Sequence, residues 1–130
     1  MKKTTLYHTH QALNAKMTSF GGYEMPIQYT GVKKEHLNVR KNLGVFDVSH
    51  MGEFILRGKE SVKFLNYVTT GNFSTLKDGK ARYTILCNEN GGIIDDIIIY
   101  RFRDANMLFC VNETNMEKGW NRVYSKVSDL

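Results

Sequence analysis

The sequence predicts an α+β fold, a layer of helices on a largely antiparallel sheet. Three observations carry this. From Val45 onward, alternating or β-branched stretches exchange with stretches of helical spacing in the order β-α-β-β-β-α. Asn90-Gly91, in which both residues tolerate positive φ, joins two strand candidates as a hairpin. From Glu113 to about Val127, the residues Met116, Trp120, Val123, Tyr124 and Val127 fall on one helical stripe.

Taken in order, Met1 to about Thr30 shows no sustained periodicity and is punctuated by Gly21, Gly22 and Pro26, so it reads as irregular. Lys33 to Leu43 reads as a helix: Leu37 set against Arg40 and Lys41 gives an apolar and a charged side, and Gly44 stops it. Val45 to Arg57 carries Val45, Val48, Phe54, Ile55 and Leu56 and reads as extended, with Gly58 turning the chain. Val62, Phe64, Leu65 and Val68 give helical spacing from about Lys59 to Thr69. A loop with Gly71, Asp78 and Gly79 leads to strand candidates at Ala81 to Cys87, Gly92 to Phe102 and Met107 to Asn112. The sequence stops just after the last helical stripe with no capping glycine or polar tail, which reads as truncation from a larger multidomain protein.

With 130 residues, 42% of them hydrophobic and 24% charged, and a single proline, the composition is that of a folded domain and excludes disorder. The net charge of +5 favours anionic partners. Its lysines and arginines are scattered, however, without the run of like charge that marks a nucleic-acid tail, so no nucleic-acid partner is expected. Lys2 and Lys3 have no apolar stretch behind them, which excludes a signal peptide. Apolar runs such as Ile97 to Tyr100 are too short to span a bilayer. A soluble, cytoplasmic protein with no membrane partner is expected. Cys87 and Cys110 lie in apolar stretches without zinc-site spacing and read as buried reduced thiols.

Asp95 and Asp96 are the most informative residues. They sit in Ile93-Ile94-Asp95-Asp96-Ile97-Ile98-Ile99-Tyr100, a strand apolar at both parities. Neighbours on a strand face opposite ways, so Asp95 shares a face with Ile93, Ile97 and Ile99, and Asp96 with Ile94, Ile98 and Tyr100. The pair therefore cannot act as a carboxylate dyad. A sheet apolar on both faces is expected to be covered on both, and each carboxylate then needs a partner. Backbone donors or Arg82 would serve; otherwise a carboxylate is aimed into a ligand cleft. Spacing does not choose which aspartate that is. Ser49 and His50 diverge on an extended segment and lack a G-x-S-x-G elbow, so hydrolase chemistry is not expected. His8 and His10 do not complete a metal site, and neither Gly21-Gly22 nor Gly91-Gly92 is a phosphate loop. Tyr83, Tyr100, Met51 and Asn112 remain: tyrosines are ordinarily packing residues, but a flat heterocycle needs such walls beside a carboxylate.

Five strings go further. They are Phe20-Gly21-Gly22-Tyr23-Glu24-Met25-Pro26 with Gln28-Tyr29, Glu35-His36 with Val39-Arg40, GVFDVSHMGE (Gly44 to Glu53), NENGGIIDD (Asn88 to Asp96), and Val111-Asn112 with Glu117-Lys118. In this order, and in register over essentially the whole chain, they resemble the front portion of the folate-dependent aminomethyltransferases, the T proteins of the glycine cleavage system. The resemblance implies transfer of the one-carbon unit from the aminomethyl-lipoyl arm of the H protein to tetrahydrofolate, with release of ammonia. It implies Asp96 as the catalytic residue and Tyr83, Met51, Tyr100 and Asn112 as the folate pocket, with tetrahydrofolate as co-substrate and no metal. Residues 1-48 would start a first domain completed by missing sequence, and residues 49-130 would form most of a second, folate-binding α+β domain. Family members are much longer, so the chain alone is expected to be an inactive fragment that self-associates through surfaces normally covered. The alternative is a folate-binding relative that assists iron-sulfur assembly as a binding module; its distinguishing cysteine motif falls beyond Leu130. A dimethylglycine or sarcosine dehydrogenase domain is disfavoured, since a flavin-binding front is lacking.

Overall fold

Gly21 and Gly22 both hold positive φ, 54° and 81°, and they build a hairpin where the composition suggested none. The computed structural model describes residues 1–103 and 106–129. Strands β2 (Lys16–Phe20) and β3 (Tyr23–Gln28) pair antiparallel across this two-residue glycine loop. Two positive-φ residues give the tight turn whose twist matches that of the strands. β1 (Lys2–Lys3) joins β3 in parallel, giving the order β1-β3-β2. The expectation of an irregular N-terminal segment is thus corrected. Pro26 is tolerated inside β3 because β1 reaches only Tyr23 and Glu24, so no ladder bond is needed there.

Helix α1 (Tyr7–Ala12) buries Tyr7 and His10, while α2 (Val32–Lys41) buries none of its residues. The Glu35 carboxylate starts α2. Its Oε1 accepts hydrogen bonds from the backbone N–H of Tyr29 (2.8 Å), Thr30 (2.6 Å) and Gly31 (2.9 Å), groups that otherwise need water. These bonds, Tyr29 first, hold the Glu35 carboxyl below its ordinary range. The chain forms two compact units, Met1–His50 and a second from Met51 onward.

In the second unit, β4 (Gly52–Arg57), α3 (Ser61–Val68), β5 (Ala81–Cys87), β6 (Ile93–Arg101), β7 (Asn106–Val111) and α4 (Met116–Tyr124) follow the predicted β-α-β-β-β-α order. The sheet is antiparallel throughout, in the order β4-β7-β6-β5. β4 is shorter than the extended run expected from Val45, since residues 44–51 form no strand. The last helical stretch is also broken, with 3₁₀ turns at Glu113–Asn115 and Val127–Asp129 flanking α4. Of its stripe, Val123 is buried, while Trp120 and Tyr124 stack on each other at 5.5 Å, both exposed.

One face of the sheet carries the core. Leu86, Ile97, Ile99, Met107, Phe109 and Val111 project from it against Phe64, Leu65 and Val68 of α3 and Val123 of α4. Both helices therefore cover the same face. The expectation of cover on both faces fails within this chain: Ile55, Tyr83, Ile98 and Tyr100, on the other face, are all exposed. Gly52 is where β4 meets α4. A Cβ there would stand 2.7 Å from Met116 Sδ and 2.8 Å from Val111 Cγ2. Gly52→Ala is therefore expected to destabilise the chain by about 1–2 kcal/mol, since the β-branched Val111 cannot give way. Urea unfolding checks this, and an unchanged midpoint would contradict it.

Candidate functional site

The register of β6 separates the two aspartates. Asp95 lies across from Leu86 and is 3% exposed; Asp96 lies across from Ile85 on the open face. Asp95 turns inward, yet no arginine meets it. Its Oδ2 accepts from the Asn112 backbone N–H (3.0 Å), and its Oδ1 accepts from Asn112 Nδ2 (2.9 Å) and Asn115 Nδ2 (3.0 Å). Arg82 instead donates to Thr75 Oγ1 at 3.3 Å. A buried carboxylate is thus satisfied by amide donors, as burial of a charge requires.

Asp96 lies on the face that the helices leave open. Tyr83, set diagonally across the β5–β6 ladder, donates its hydroxyl to Asp96 Oδ2 at 3.1 Å. Asn112 Nδ2 reaches the Asp96 carbonyl oxygen at 3.0 Å and its Oδ1 at 3.3 Å. The hydrogen bond to Asp96, then burial and the charges of both aspartates, push the Tyr83 phenol above its ordinary range. Tyr100 follows on the same strand face, opposite Ala81 and Leu108. Met51 directly precedes the Gly52–Val111 pair that ends the β4–β7 ladder. Hence Asp96, Tyr83 and Asn112 are bonded together, whereas Tyr100 lies farther along the same face and Met51 just before β4. Asn115 was not singled out from the sequence: an asparagine in a polar turn carries no signal of its own.

The unit Met1–His50 holds a second polar cluster. Asp47, its side chain 2% exposed, accepts from Thr4 Oγ1 (2.7 Å), His10 Nε2 (2.8 Å) and the Ser49 N–H (2.9 Å). Because Asp47 is an acceptor only, His10 Nε2 donates to it, and His10 Nδ1 lies 2.7 Å from the Tyr29 hydroxyl. Burial pulls the Asp47 carboxyl upward, but the bonds from His10, Ser49 and Thr4 outweigh it and hold it well below the usual carboxylate range. A groove of about 320 Å³, lined in part by Tyr29, Glu35, Asn38, Val45 and Asp47, opens beside this cluster. Ser49 and His50 form no dyad. Ser49 caps Asp47, and the His50 ring meets Phe20 edge-on at 5.5 Å.

Cys87 and Cys110 are free and half-buried; burial, then Glu53, pushes the Cys110 thiol up. Among the described residues, no group of three or more His, Cys, Asp or Glu side chains is placed to hold a metal ion. No helix among them is long and apolar enough to cross a membrane. What the open face offers is a carboxylate hydrogen-bonded to Tyr83, with Tyr100 farther along the same face, which suits a flat ring carrying N–H donors.

Comparison with known proteins gives a consistent picture. A family model described as the GCVT N-terminal domain matches residues 6–130. The aminomethyltransferase of Thermotoga petrophila is 50% identical over 132 residues, covering 100% of this chain and 36% of that protein. That of Flavobacterium psychrophilum is 50% identical over 125 residues, covering 96% of this chain and 35% of that protein. Among solved structures, the glycine cleavage system aminomethyltransferase T from Bartonella henselae matches with a TM-score of 0.94 at 35% identity. That match covers 99% of this chain and 36% of the other. The chain thus spans about a third of the length of the relatives it matches.

Proposed function

The chain belongs to the GCVT N-terminal domain family, and from that premise we propose that it serves tetrahydrofolate-dependent aminomethyl transfer in glycine cleavage. In this reading the one-carbon unit comes from the aminomethyl-lipoyl group of the H protein, and ammonia is released. The names of the relatives, all aminomethyltransferases, support the reaction class. The observation that carries the reading is the Asp96 carboxylate on the uncovered sheet face, tied to Tyr83 and Asn112 while its neighbour Asp95 is spent on the interior.

Asp96 acts as the catalytic residue. An ionised carboxylate held by two donors keeps lone pairs for the N–H edge of a folate ring, and it can take or return a proton as the folate nitrogen attacks the aminomethyl carbon. Tyr83 and Tyr100 wall the ring, Asn112 supplies a further polar contact, and Met51 closes the side nearest β4. No metal has a part in this scheme. Residues 1-48 begin a domain that later sequence completes, and residues 49-130 supply most of the folate-binding domain. A cytoplasmic setting goes with this metabolic role. Alone, the chain lacks turnover, and its uncovered apolar face favours self-association.

Calorimetric titration of tetrahydrofolate into this chain, and into a version extended to the length of its relatives, tests the reading. Binding by the extended form is expected. Binding by neither, with both shown to be folded, would overturn the folate assignment.

A further inference from the structure

We propose that Asp95 and Asn115 are positioning residues: they lock the Asn112 carboxamide with its amino group toward Asp96 and its oxygen available to a ligand. The inference rests on the reading of Asp96 as the functional carboxylate. Around Asn112 Nδ2 stand three acceptors, Asp95 Oδ1 at 2.9 Å, the Asp96 carbonyl oxygen at 3.0 Å and Asp96 Oδ1 at 3.3 Å. Only an NH₂ group suits these surroundings, one hydrogen going to Asp95 and the other shared by the two Asp96 oxygens. The flipped amide would set its oxygen against other oxygens. The Asp95 carboxylate is the fixed post of this arrangement. It is buried, and it is itself held by the Asn112 backbone N–H and by Asn115 Nδ2.

Asn115 is the telling residue. It occupies the N-cap position of α4, where an asparagine side chain ordinarily accepts a hydrogen bond from the first turn. Here it makes no capping bond and donates to Asp95 instead. The chain of contacts runs Asn115 to Asp95 to Asn112 to Asp96, so Asn115 and Asp95 act through Asn112 and never meet the ligand. With Nδ2 committed inward, the carboxamide offers Oδ1 as its outward atom. Beside the Asp96 carboxylate this makes a surface of acceptors that selects a ligand edge carrying N–H donors.

Asn115→Ser tests this directly. Serine is a good cap, so the helix is retained, but its side chain is too short to reach Asp95. In the ¹⁵N-labelled chain, the Asn112 side-chain amide protons are expected to exchange with solvent about tenfold faster, as for loss of one supporting hydrogen bond. Asn115→Asp, also a cap former, sets a second carboxylate against Asp95 and should give the larger acceleration, so misfolding of one variant leaves the other to decide. Unchanged Asn112 signals in a folded variant would overturn the proposal. A purely structural Asn115 would lower the melting temperature without touching those signals. The readout needs no folate: shifted Asn112 signals with no tetrahydrofolate binding by the extended protein would refute the folate reading alone. Unchanged signals with binding intact would refute the positioning role alone.

Discussion

Asp96→Asn, placed in a protein of the relatives' full length, is expected to lower aminomethyl transfer by roughly 10²–10⁴-fold while leaving the thermal midpoint where it was. That range is what a positioned general acid-base group supplies. The fold tolerates the change because Asp96 lies on the open face, and an asparagine there can still accept from Tyr83. Asp95→Asn should behave the other way. It puts an NH₂ group into a buried position surrounded by the donors of Asn112 and Asn115, and an unsatisfied group of this kind costs about 1–3 kcal/mol. Stability then falls more than the rate per folded molecule. Ammonia release from aminomethylated H protein, read beside a melting curve for each variant, separates the two. Equal losses of rate, or a larger loss at Asp95, would remove Asp96 from its role.

Asp47→Ala is expected to cost about 1–3 kcal/mol, the range found when buried hydrogen-bond donors lose their acceptor. His10, 4% exposed, would be left facing a void, and Thr4 would lose its acceptor. Urea unfolding measures the loss, and a change below about 1 kcal/mol would mean that the cluster contributes little. The same carboxylate makes stability depend on acid. Its folded-state pKa is depressed, by hydrogen bonds that outweigh burial. Below about pH 3.9 the unfolded chain takes up the proton while the folded one resists. The contribution of Asp47 is therefore complete above that pH and is lost progressively below it. In Asp47→Asn this part of the acid slope should disappear.

Much of the second unit was legible in the sequence. The Asn90-Gly91 signal gave the β5–β6 hairpin, and the spacing of Phe64, Leu65 and Val68 gave α3, because both are local features. β2 and β3 were hidden. Lys16, Thr18 and Ser19 break any apolar alternation, and the structure leaves most of β2 exposed, so there was no buried face to advertise. The glycine pair was the available clue, and its turn chemistry outranked the missing periodicity. At the site, strand parity put Asp95 and Asp96 on opposite faces but could not say which looked inward, since β6 is apolar at both parities. That was decided by α3 and α4 packing on a single side, a fact of tertiary structure. The partners of Asp95 were illegible for a related reason: they come from the end of β7 and the turn beyond it, brought near only by the β6–β7 pairing. The cluster around Asp47 joins Thr4, α1, the residue that follows β3 and the segment after α2, and no spacing rule connects such distant positions.

The place of β4 has a consequence for how the chain is made. Its neighbour in the sheet is β7, so Gly52 waits for Val111 and Arg57 for Asn106. On the ribosome, β4 emerges before any of its ladder partners, and Phe54 and Leu56 have no sheet to join until β5, β6 and β7 have followed. Because such distant pairings must close a long loop before they return any binding energy, assembly of this unit belongs with the slower α/β folders.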